Sequence, residues 1–109
     1  MADYKGIIVT PDPIRKIDSA TFTGAYQALG AKLTKPIRIM KFVNLSNVSV
    51  TISFDGATDH DIIPSEGFAL YDFTSDKVQD DGYYVSAGTQ IWIKGAAGVG
   101  SVFLVCFGA

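Results

Sequence analysis

Asp55, Asp59 and Asp61 are the one group of side chains in this chain whose type and spacing could gather a ligand. Asp80 and Asp81 could join them if two loops met at one end of the fold. Calcium takes six to eight oxygens, largely from carboxylates and carbonyls, so such a cluster is worth testing. The spacing does not match the loop of an EF-hand, however, and aspartate is an ordinary turn residue. His60 lies among these aspartates and is the only histidine. A single histidine and a single cysteine, Cys106, are too few for a zinc centre. No nucleophile elbow accompanies the histidine, which excludes a recognisable Ser-His-Asp arrangement. Cys106 sits in the apolar run SVFLVCF and reads as a small buried hydrophobe.

Two other patterns invite a chemical reading. Gly95-Ala96-Ala97-Gly98-Val99-Gly100 looks like a glycine-rich phosphate loop. A strand and not a helix follows it, so the helix N-terminus that such a loop serves is missing; it is expected to be a hairpin turn. Tyr83, Tyr84 and Trp92 could form a platform for a glycan, or could belong to the core or to a subunit interface. With the aspartates, Tyr83 and Tyr84 make up the candidate ligand-binding set. No catalytic residue, cofactor or metal is expected.

These residues must be carried by strands. The chain has 109 residues, 48% hydrophobic and 18% charged, enough for one globular core. Its net charge of −2 comes with no basic stripe, so nucleic acid is not an expected partner. No run approaches the roughly 20 apolar residues of a membrane span, and the N-terminus lacks the parts of a signal peptide. Synthesis in the cytosol is expected.

The strongest structural signal covers residues 37–55. Val48, Val50, Ile52 and Phe54 alternate with Ser49, Thr51, Ser53 and Asp55, the period of a strand with one buried face. Residues 37–43 are also β-rich, and Leu45-Ser46-Asn47 is of hairpin length, so a hairpin is expected. Phe68, Leu70 and Asp72 should share one face of a later strand, opposite Ala69, Tyr71 and Phe73. Residues 90–94 read as a firm strand. The last strand, residues 101–107, is apolar on both faces, as for a central strand or one covered by another chain. No helix-period segment of useful length occurs. Eight or nine short strands with regular turn signals predict an all-β protein, an antiparallel β-sandwich of jelly-roll-like type.

Residues 1–20 differ from the rest. Ile7, Ile8 and Val9 need a partner surface, and Pro11-Asp12-Pro13 interrupts any strand there. The segment is either a terminal strand on its own domain or an extended arm docked on a neighbouring subunit. Residues 21–109 form the sandwich domain. The expected contact surface is Ile7, Ile8 and Val9 together with Phe103, Val105 and Phe107 of the last strand.

Three stretches carry a resemblance. KFVNLSNVSVTISFDG at 41–56, PSEGFALYD at 64–72 and GTQIWIKG at 88–95 are similar to segments of small all-β virion proteins of tailed bacteriophages. The resemblance covers roughly residues 20–109. It implies a non-enzymatic structural component of a head, neck or tail, located in the virion and partnered by other virion proteins or by copies of itself. The alternative is a β-sandwich module that binds a glycan or another host-surface ligand.

Overall fold

The computed structural model describes residues 10–72 and 85–108. Ile7, Ile8, Val9, Tyr83 and Tyr84 lie outside the described residues. Within them the chain forms β1 (Thr10–Pro11), β2 (Arg15–Asp18), a single 3-10 turn (Ser19–Thr21), β3 (Gln27–Ala28), β4 (Ile37–Asn44), β5 (Val50–Ser53), β6 (Asp61–Ile63), β7 (Phe68–Asp72), β8 (Trp92–Gly95) and β9 (Ser101–Gly108). All pairings are antiparallel. A five-stranded sheet has the order β1-β9-β4-β7, with β2 also on β9; a four-stranded sheet has the order β3-β8-β5-β6. The fold is an all-β sandwich, as expected.

Alternation along the strands fills the space between the sheets. Met40 and Phe42 of β4, Val102, Leu104 and Cys106 of β9, Val50 and Ile52 of β5, and Ile93 of β8 are all buried there. Each large aliphatic or aromatic side chain so enclosed contributes about 1.5–3 kcal/mol. The register of β4 against β9 shifts between Ile37 and Ile39, which lets Ile37 and Met40 both point inward. Residues 37–43 look apolar on both faces because Met40 and Phe42 face inward while Ile39 and Val43 face outward.

The expected hairpin at 37–55 is not formed. Its arms enter different sheets: β4 pairs with β7 and β9, whereas β5 pairs with β6 and β8. Residues 45–49 contain no glycine for a tight hairpin turn, and they are held instead by Asn44. Asn44 is fully buried; its Nδ2 donates to the carbonyls of Val48 (2.9 Å), Ile63 (3.3 Å) and Pro64 (3.0 Å). Its Oδ1 accepts from Ser46 N (3.0 Å) and Ser46 Oγ (2.6 Å).

The glycine-rich stretch at 95–100 is likewise not a hairpin turn, because β8 and β9 also lie in different sheets. The two crossings lie side by side. Leu45 N donates to Ser101 O (2.9 Å), Asn47 N to Val99 O (3.0 Å) and Val99 N to Asn47 Oδ1 (2.9 Å). Gly100 has φ +112, and a Cβ there would stand 2.5 Å from the Leu45 carbonyl oxygen. Only glycine permits that approach. The turn Ser19–Thr21 and residues 64–67 cross at the same end. Ser19 Oγ donates to Gly100 O (2.8 Å) and Ser65 Oγ to Ser46 O (3.0 Å).

Residues 10–18, expected either as a strand on their own domain or as part of an arm, are strands of the five-stranded sheet along β9. Arg15 fixes them there. Its buried guanidinium donates to the carbonyls of Ala31 (2.7 Å), Pro13 (2.9 Å) and Lys32 (2.9 Å), and to Asp12 Oδ2 (2.9 Å). Thr34 Oγ1 donates to the other oxygen of Asp12 (2.6 Å). A buried ion pair is tolerable when its remaining donors and acceptors are satisfied, as these are.

Candidate functional site

Asp55, Asp59 and Asp61 do not converge, and Asp80 and Asp81 lie outside the described residues. Asp55 Oδ1 closes its own turn, accepting from Ala57 N and Thr58 N (both 2.8 Å) and from Ser53 Oγ (2.9 Å). Those backbone donors first, then Ser53, hold its carboxyl far below the usual range. Asp59 accepts from the Tyr26 hydroxyl and pairs with Lys94 Nζ at 3.0 Å. Asp61 accepts from the Tyr71 hydroxyl and from Ile62 N (2.8 Å). Each carboxylate is thus committed to its own chain. Among the described residues no group of three or more His, Cys, Asp or Glu is placed to hold a metal ion. His60 is exposed, its Nδ1 accepting from Phe54 N at 3.0 Å.

The Asp61–Tyr71 contact joins β6 to β7 of the other sheet, whereas the Asp59 contacts dress the outer face of the four-stranded sheet. The residues after β5 fold back across it: Gly56 lies against Trp92, where a Cβ would come within 3.0 Å of the indole. Asp59 reaches Lys94, whose Nζ stands 4.6 Å from the centre of the Tyr26 ring. Trp92 is therefore the seat of a loop.

The outer face of the five-stranded sheet is different in kind. Its residues stand in rows fixed by the register. Phe68, Val43 and Phe103 form one row across β7, β4 and β9, with Lys16 of β2 at its end. Leu70, Lys41 and Val105 form the next, and continuing the β2 register by one residue brings Ile14 beside Val105. Asp72, Ile39 and Phe107 form the third, with Pro11 of β1 beyond. Phe68 is 68% exposed, Ile14 60% and Leu70 57%. Neighbouring side chains on a strand pair stand about 5 Å apart, so the apolar groups form one continuous surface around Lys41. A contiguous apolar surface of this kind marks an interaction site.

Phe103, Val105 and Phe107, expected as contact residues, all lie on this face, each half-buried by its neighbours. The expected contacts at Ile7, Ile8 and Val9 and the expected ligand residues Tyr83 and Tyr84 lie outside the described residues. Sequence reasoning did not assign Ile14, Ile39, Val43, Phe68 or Leu70 to the surface. β4 and β7 carry Ile39, Val43, Phe68 and Leu70 at positions facing away from the core, a placement that the register between strands sets. Cys106 points inward from β9, and burial pushes its thiol up to about 11, so it has no nucleophilic role at neutral pH.

No helix among the described residues is long and apolar enough to cross a membrane. No protein-family model, curated protein or solved structure matches the chain.

Proposed function

We propose that the chain is a non-enzymatic structural protein that assembles by burying the outer face of its five-stranded sheet. The observation that carries this reading is the contrast between the two outer faces. One carries the loop after β5 over Trp92 and Lys94 and leaves Ile62 exposed at its β6 edge; the other presents Phe68, Leu70, Val43, Phe103 and Val105 in register. Exposing such a face costs solubility unless a partner covers it.

The setting is a tailed-bacteriophage virion, at its head, neck or tail, with other virion proteins as partners. This rests on the three resembling segments at 41–56, 64–72 and 88–95. The pairs β2·β9, β3·β8, β4·β7 and β5·β6 are nested about one hairpin, the order a rolled-up long hairpin takes. That nesting supports the jelly-roll-like description, an architecture that builds capsid domains among others. Fold alone assigns no function, so the exposed face carries the reading. The glycan-binding alternative would use Tyr83 and Tyr84, which lie outside the described residues, with Asp55, Asp59 and Asp61, each already bonded within the chain, and no observation favours it.

The test is quantitative mass spectrometry of purified particles made with the wild-type chain, Leu70→Glu, or the control Val99→Glu. Val99 is 74% exposed and lies in the crossing at 96–100, off the face. The wild type and the control should be incorporated and Leu70→Glu lost; absence of the wild-type chain from particles would overturn the virion setting.

A further inference from the structure

Resting on that reading, we infer that the partner on this face is a second copy of the chain, packed sheet to sheet about a two-fold axis. The axis runs parallel to the strands, midway between β4 and β9. The rows of the face lead to it directly. Across the sheet the strand order is β7, β4, β9, β2. Such an axis keeps each residue in its row and exchanges β4 with β9 and β7 with β2. Val43 then meets the partner copy's Phe103, Ile39 meets its Phe107, and Leu70 meets its Ile14. Branched aliphatic groups face rings or one another in every case.

The axis also keeps the central charge off its own copy. Lys41 is the one charge in the middle of the face. The axis places it over Val105, where its aliphatic stem packs and its ammonium reaches the gap between rows. An axis running across the strands through that row would lay Lys41 on Lys41. At the corners, Phe68 meets Lys16, an ammonium that already lies 5.9 Å from the centre of its own Phe103 ring. Asp72 meets Pro11 at the other corner. A surface that is complementary to itself under one two-fold operation is the requirement for an isologous dimer.

The size sets the strength. β4 and β9 contribute eight residues each, β7 five and β2 four, and at about 4.8 Å spacing and about 3.4 Å rise they cover on the order of 400 Å² in projection. Two such faces bury about 800 Å², the range of weak, transient contacts. The dimer is therefore reversible. Sheets stacked this way keep their strands within about 30° of alignment, as the axis requires.

The test uses a contact that exists only between copies. Within one chain, Leu70 and Ile14 stand three strands apart, about 14 Å; across the interface they touch. Sedimentation equilibrium of the full chain is measured for wild type, Leu70→Glu, Ile14→Lys and the double variant. The wild type should be a reversible dimer. Each single variant should raise the dissociation constant about tenfold or more, and the double variant should regain much of the loss. Far-UV circular dichroism should not change, since both residues are exposed. A wild-type monomer whose Leu70→Glu form is still excluded from particles would overturn the second copy while leaving the assembly face intact. A double variant weaker than either single one would overturn the axis. Equal dimerisation and equal incorporation of wild type and Leu70→Glu would overturn both.

Discussion

Asn44 is the residue on which the two sheets turn. It ends β4 in one sheet and bonds Val48, just ahead of β5, and Ile63 at the end of β6, strands of the other. Asn44→Ala removes the partners of three carbonyls and of Ser46, and should cost about 3 kcal/mol in urea unfolding. Asn44→Asp should cost at least as much, because it aims a carboxylate oxygen at those carbonyls. Asp12 shows a second use of buried polarity. Burial raises its pKa, but the hydrogen bonds from Thr34 and Arg15 and the charge of Arg15 outweigh this and lower it overall. A lowered folded-state pKa contributes stability at pH values above the unfolded value of about 3.9, and the contribution is lost as pH falls through the folded value. Asp12→Asn should therefore flatten the acid limb of the stability curve below about pH 4. Cys106 should resist thiol reagents at pH 7 in the native protein and react on denaturation. Of these three residues only Cys106 was legible from sequence, because an apolar run announces burial. Beyond their local bonds, Asn44 reaches Ile63 and Pro64 and Arg15 reaches Ala31 and Lys32, and nothing local encodes those.

At the scale of elements, alternation reveals a strand but not its partner. β9, β8 and the faces of β5 and β7 followed from period and composition alone. The two hairpins did not, because a short polar or glycine-rich connection serves a turn within a sheet and a crossing between sheets equally well. Gly100 is the discriminating position. Its φ of +112 and the Leu45 carbonyl 2.5 Å from a Cβ there make two separate obstacles to a side chain. At Gly24, φ is +88 but nothing lies within 4 Å of a Cβ. Gly24→Ala should thus cost only the backbone term of about 1–2 kcal/mol. Gly100→Ala should cost clearly more, since two crossing backbones must separate. Paired thermal melts of the two variants check this order.

For the whole molecule the decisive property is the inequality of its outer faces. The final strand, apolar on both sides, already pointed to a covered surface, and Phe103, Val105 and Phe107 were legible for that reason. The rest of the surface was not, because Phe68, Leu70, Ile39 and Val43 reach it only through a register that joins residues distant in sequence. The loop chemistry dissolved for the converse reason. Asp55, Asp59 and Asp61 are close in sequence, yet the fold sends each to a different partner. The most direct measurement is thiol labelling of Leu70→Cys and Val99→Cys in the purified assembly and in the dilute chain. Leu70→Cys should label freely when dilute and be protected on assembly, while Val99→Cys labels in both. Equal labelling of Leu70→Cys in the two states would contradict burial of this face.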